Sequence, residues 1–287
     1  MHENPPLETT TKKWNGMATQ QQQQNFLHLW DDRFLYITPA IQSGLTARSS
    51  ATLLASASGH PFTLEAVDGT RVRCTAALVA PHVSRRLDVD GCGLLSLNLD
   101  PASSAYRMLA RCMGGHGIEP IDARRFGQLR DNFDPAQRGM FGDRKLQSLS
   151  AKMIESITGC PEVAAPIDRR IERVLQSIRE HAGQISLKEL SVVACLSPDR
   201  LTHLFAEQVG VSVKRYALWT KVRRTVQQFT GHRPLTDVAL VSGFTDAAHM
   251  SRTFQRYFGL PPSFLASQVQ VTADAQASHA WGHATMH

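Results

Sequence analysis

The feature that most constrains this chain is a helical pattern in its C-terminal third that occurs twice, 48–49 residues apart. In the first copy, Leu187–Ala194 has the apolar spacing of a short helix, and Cys195 and Leu196 read as a turn. Ser197, Pro198 and Asp199 then open a second helix. A serine N-cap satisfies a free amide, proline at the first helical position pre-sets φ, and an acid in the first turn complements the helix dipole. That helix turns Leu201, Leu204 and Phe205 inward and reaches Val209 and Gly210. The second copy runs through a short helix at Thr236–Val241, a turn at Ser242–Phe244 and a cap at Thr245 and Asp246. Its second helix buries Met250, Phe254 and Phe258 and stops at Gly259. From cap to phenylalanine the copies span eight and nine residues, so the second carries one insertion; from phenylalanine to glycine both span five. A repeated unit is stronger evidence than either copy alone.

A short helix, a tight turn and a capped second helix make a helix-turn-helix. Val213–Phe229, between the copies, predicts a helix of about 25 Å at about 1.5 Å per residue. Such a strut holds the two units rigidly apart. Two reading helices spaced by one DNA turn, about 34 Å, would enter successive major grooves on one face. Upstream, Ile167–His181 aligns Ile171, Val174, Leu175 and Ile178 on one stripe that Gly183 ends.

Charge points the same way. The 287-residue chain carries a formal net charge of +6, and residues 166–267 hold 14 Lys/Arg against 8 Asp/Glu, which accounts for all of it. A basic domain joined to a neutral one suggests a polyanion binder tied to another function. Cys74, Cys92, Cys112, Cys160 and Cys195 are odd in number and scattered, which argues for reduced thiols in a cytoplasm and against a disulfide framework or cysteine zinc site. The polar first residues predict no signal peptide, and no apolar run is long enough to cross a bilayer.

Val238–Pro262 resembles the signature of the AraC/XylS family of bacterial transcription regulators nearly throughout, and the first copy matches it through Leu201, Phe205 and Gly210. Residues 167–267 are thus similar to that family's DNA-binding domain. The resemblance implies two helix-turn-helix units joined by one helix, promoter DNA as partner, and activation through contact with RNA polymerase. The outward residues expected to meet DNA are Asp199, Arg200, Thr202 and His203 in the first unit, and Ala247, His249, Arg252 and Thr253 in the second, flanked by Gln255 and Arg256. Arg252 stands where the family pattern places a base-contacting arginine; His203 holds the equivalent place in the first unit, where arginine is commoner. Arg215, Lys221, Arg223, Arg224 and Arg256 are candidate phosphate contacts, which position rather than specify.

The remaining chain divides into a disordered leader at 1–25, a β-rich and then helical domain at 26–157, and a Gly/Pro linker at 158–166; a disordered tail follows the DNA-binding domain at 268–287. The tail holds His279, His283 and His287, read as unstructured rather than metal-binding. Within 26–157, strands are predicted near 34–37, 52–56, 62–67, 72–75, 77–80 and 94–99, with a hairpin turn at Asp68 and Gly69. Helical periodicity follows around Tyr106–Met113, 123–133 and 146–157, where a stripe of Leu146, Leu149, Met153, Ile154 and Ile157 could cover the strands or form a dimer seam. The layout resembles a cupin-like β-barrel with dimerisation helices. The fold class expected is therefore multidomain α+β: a cupin-like barrel plus dimerisation helices, then an all-α DNA-binding domain.

His60, Glu65 and His82 do not make a metal-binding pattern, so no cofactor is expected. Arg48, Arg71, Arg73, Arg85 and Arg86 could converge on an anionic effector; the alternation at Arg71–Cys74 points instead to one solvated strand face. The reading is a cytoplasmic, dimeric, nucleoid-associated regulator. An enzyme fused to a DNA-binding domain lacks a nucleophile motif, phosphate loop or metal cluster here, and two distinct capped recognition helices argue against a nonspecific DNA binder.

Overall fold

The computed structural model describes residues 24–48, 50–114, 117–161, 166–229, 233–258 and 260–273. The N-terminal half supplies strands β1 (Asn25–Leu29), β2 (Arg33–Thr38), β3 (Ile41–Gln42), β4 (Thr52–Ser56), β5 (Phe62–Ala66), β6 (Arg71–Cys74), β7 (Ala76–Val79), β8 (Arg85–Val89), β9 (Leu94–Leu99) and β10 (Ile118–Pro120). A last strand, β11 (Val269–Ala273), lies at the far end of the described chain. They form two sheets, ordered β10-β7-β4-β9-β2-β1-β11 and β3-β8-β5-β6. The sheets face each other without closing, so the expected barrel is an open, two-layered version of itself. Helices α1 (Ser104–Arg111), α2 (Phe133–Gln137) and α3 (Asp143–Thr158) follow, with a 3-10 stretch at Ala123–Asn132 where one long helical segment had been expected. Gly127 breaks that stretch with φ 51°.

The two faces of the large sheet have different covers, and strand alternation decides which residue meets which. On the outer face, Leu35, Ile37, Leu53, Leu78, Leu95 and Leu97 pack against Tyr106, Leu109, Phe126, Leu149, Met153 and Ile157. The apolar stripe of α3 is therefore buried against the sheet and is not a free dimer seam. Asp143, at the start of α3, fixes it there by accepting from Trp30 Nε1 at 3.0 Å. On the inner face, Leu54 and Leu94 pack against Phe62, Leu64, Leu87 and Val89, all four from the small sheet. The rest of the inner face, Leu27, Leu29, Phe34 and Tyr36, is covered by the C-terminal helices.

Those helices are α4 (Arg169–Glu180), α5 (Leu187–Ala194), α6 (Pro198–Val209), α7 (Val213–Gln228), α8 (Leu235–Val241), α9 (Ala247–Phe258) and α10 (Pro262–Gln268). Their core gathers on α7, whose Tyr216, Trp219, Val222 and Val226 are buried. Burying each such side chain contributes about 1.5–3 kcal/mol. Trp219 stacks on Phe34 with centroids 5.7 Å apart, joining the two halves into one core.

The chain then returns to the first strand. β11 runs parallel to β1, pairing Val269 with Asn25 through to Ala273 with Leu29. The tail expected to be unstructured from 268 thus begins as a strand. β1 offers it an open edge, and Val269, Val271 and Ala273 pack against the same core. His279, His283 and His287 lie outside the described residues, as do residues 1–23 of the expected leader.

Candidate nucleic-acid interface

Each helix-turn-helix is built from its caps. In the first unit, Ser186 and Glu189 form a reciprocal capping box at the start of α5. Cys195 takes the left-handed conformation that turns the chain, Ser197 accepts the Arg200 amide at 3.3 Å, and Pro198 opens α6. In the second unit the cap is Asp246, whose carboxylate accepts the His249 amide at 2.6 Å. That bond, foremost, holds the Asp246 carboxyl below its ordinary pKa. Gly243 makes the turn with φ 84°. α7, at 16 residues, is about 24 Å long.

The caps aim the second helix of each unit, and burial sorts the residues on it. On α6, Asp199, Arg200, Thr202 and His203 are all exposed. On α9, Arg252, Gln255 and Arg256 are exposed, and Ala247 and His249 are half-buried. The His249 ring stands edge-on to Phe244, with centroids 5.4 Å apart, and its Nδ1 lies 3.3 Å from the Thr245 hydroxyl. Thr253, expected outward, is buried beside Phe254, in the place that the buried Leu204 takes before Phe205 in the first unit.

The phosphate candidates divide likewise. Arg215 is exposed, while Lys221 and Arg224 are half-buried, and burial pulls both below their usual pKa. Lys221 Nζ sits 6.0 Å from the centre of the Phe244 ring. Arg223 faces the opposite way and is buried between the halves. It bonds the Trp30 carbonyl and lies 3.5 Å from Asp100 Oδ2, which also accepts from Trp219 Nε1 at 3.2 Å. It is therefore a structural clamp and not a phosphate contact. Sequence spacing alone could not separate Arg223 from Arg224, since adjacent helical residues point about 100° apart and the packed face was unknown.

The second unit also meets the N-terminal half. Arg48 Nε donates to the Tyr257 carbonyl at 2.8 Å, and the Ala47 amide to that of Arg256 at 3.2 Å. Arg252, Gln255 and Arg256 line a cleft of about 250 Å³ with Gly44 and Leu45. His82 is pushed below its usual pKa by burial and by the nearby Arg215 and Arg256. Of the five arginines considered for an effector, Arg71, Arg73 and Arg86 lie on an exposed strand face, where Glu65 pairs with Arg71 at 2.8 Å and Arg86 at 3.2 Å. Arg48 and Arg85 are buried inside. No group of His, Cys, Asp and Glu among the described residues could hold a metal ion, and no described helix is long and apolar enough to cross a membrane.

Two units of short helix, tight turn and capped second helix on a shared strut define a module of the double helix-turn-helix class. Residues 190–268 match the family model described as a helix-turn-helix domain. The arabinose operon regulatory protein of Escherichia coli (strain K12) is 32% identical over 124 residues, 41% of each chain. A probable transcriptional regulator, LumQ, of Photobacterium leiognathi is 33% identical over 98 residues, 34% of this chain and 37% of that one. The chain thus matches about two fifths of these relatives' length. The fold extends further: ToxT from Vibrio cholerae O395 superimposes with a TM-score of 0.52 over 82% of this chain and 96% of that one, at 11% identity. The C-terminal domain belongs to the AraC/XylS family of DNA-binding transcription regulators.

Proposed function

We propose that the whole chain is a sequence-specific transcription regulator that activates promoters, reading successive major grooves with α6 and α9. The exposed polar faces of these two capped helices carry the reading. On α9, Arg252 has the reach and freedom to grip guanine O6 and N7 with two hydrogen bonds. On α6, Asp199, Arg200, Thr202 and His203 form the corresponding surface, with Arg215, Lys221, Arg224 and Arg256 as phosphate contacts. The chain works in the cytoplasm as a homodimer, touches RNA polymerase at the promoter, and is controlled by a small effector in the N-terminal half.

The test is genome-wide occupancy by immunoprecipitation and sequencing, with wild type beside Arg252→Ala. Discrete promoter peaks lost in the variant are expected. Diffuse occupancy unchanged by the substitution would replace this reading with a nonspecific DNA binder.

A further inference from the structure

The space between the two sheets changes chemistry along its length. At one end it is apolar, filled by Leu54, Phe62, Leu64, Leu87 and Val89. At the other the same strands turn polar. Thr52, Ser96 and Asn98 alternate inward with Leu54 and Leu94, and Ser50 continues the inward side of β4. Arg48 and Arg85 project into this end, only 8% and 3% exposed. Arg85 takes an inward position on β8 that Leu87 and Val89 occupy further along.

Buried guanidinium groups are ordinarily paired with an opposite charge such as a carboxylate. Neither of these meets a carboxylate among the described residues. Arg48 bonds only neutral oxygens: Asn98 Oδ1, Ser96 Oγ at 3.3 Å and the Tyr257 carbonyl. Arg85 donates from Nη1 to the Val83 carbonyl at 3.4 Å. Its Nε, and the buried hydroxyl of Ser50, find no partner among the described residues. Burial pushes Arg48 down to about 10, and burial with repulsion from Arg48 pushes Arg85 well below its usual value. Two like charges therefore share a low-dielectric compartment with unused donors and no counter-charge.

We propose that this compartment binds a small oxyanion, a carboxylate or phosphate group, between the guanidinium groups of Arg85 and Arg48, with Ser50 as a further donor. The planar array of guanidinium N–H groups suits two acceptor oxygens of one group. An anion there offsets the repulsion and supplies the acceptors that Arg85 Nε and Ser50 lack. The site gives the effector assumed above its chemical class and rests on that assumption for its biological role.

The experiment is thermal unfolding of the full chain in chloride buffer, titrated with acetate, inorganic phosphate or sulfate at matched ionic strength. Wild type is compared with Arg85→Met, which replaces the charge by an apolar chain of similar length. A ligand that binds only the folded state raises its melting temperature saturably. Wild type should shift upward by several degrees with at least one oxyanion, and Arg85→Met should not. In chloride alone Arg85→Met should melt above wild type, and the gap should narrow or reverse as the oxyanion saturates. The proposal is overturned by a flat wild-type titration with all three anions, by an equal shift in Arg85→Met, or by Arg85→Met melting below wild type in chloride, which would make Arg85 a structural donor. Arg85→Lys keeps the charge but loses the paired N–H groups; it should retain a weaker shift, and it decides the matter if the methionine variant does not fold. DNA plays no part in this readout, so it stands or falls separately from the regulatory reading.

Discussion

Three arginines of the C-terminal domain show how one residue type takes different work from its surroundings. Arg252 is exposed on α9, and with the proposed base contact Arg252→Ala should weaken binding to the specific site roughly 5- to 150-fold, the factor that about 1–3 kcal/mol of base discrimination implies, while nonspecific binding barely changes. Fluorescence anisotropy at one stated salt concentration, with specific and scrambled duplexes, measures both. Arg215 is exposed at the start of α7, so Arg215→Ala should weaken both duplexes alike and flatten the salt dependence by about one unit of slope. Arg223 holds Asp100 and the Trp30 carbonyl in the dry seam between the halves. Arg223→Met takes the guanidinium from the buried Asp100 carboxylate, which keeps the Trp219 and Ala102 N–H donors, so urea unfolding should show a loss of about 1–3 kcal/mol. The sequence reading grouped Arg223 with the surface arginines because nothing local marks it. Its buried partner, Asp100, is 123 positions away, and only the packing of the halves brings them together.

At the scale of elements, most of the C-terminal domain was legible because its helices carry their own start and stop chemistry. Ser197 with Pro198 and the glycines at 183 and 210 are local signals, and the helix ends follow them. Ser197→Ala should lower stability by about 1 kcal/mol in chemical denaturation. Gly183 is more constrained: with φ 70°, an added Cβ would lie 2.4 Å from the backbone oxygen of Ala217 on α7. Gly183→Ala should therefore cost more than about 1 kcal/mol and push the α4–α5 turn away from α7. Asp246 adds a pH term. Its folded pKa is depressed, so its stabilisation is complete above the unfolded value near about 4 and lost as pH falls through the folded value. The urea midpoint of Asp246→Asn should fall less than that of wild type between about pH 5 and about pH 3. The N-terminal strands were less legible. β1, β3, β8 and β10 went unread: β3 and β10 are only two and three residues long, β8 places an arginine where alternation calls for an apolar side chain, and β1 straddles the end of the polar leader.

For the whole molecule, the large sheet is the common wall of both halves: helices cover its outer face, and the small sheet and the DNA-binding domain share its inner one. Neither half completes its core alone. The sequence showed two domains because the pattern changes from strands to helices, but not their shared interior, since nothing in the spacing says that the rings of Phe34 and Trp219 meet. β11 reinforces the joint, and a stop codon after Gln268 should raise the rate of limited proteolysis between residues 158 and 166 while leaving the helical circular dichroism nearly intact. The return of β11 to β1 also sets an order of events during synthesis. The outer edge of β1 stays open until every reading helix has been made, because the strand that pairs with it comes last. An unpaired edge invites pairing with other chains. A copy that ends before β11 therefore exposes the β1 edge that β11 covers in the full chain, and it should self-associate more readily.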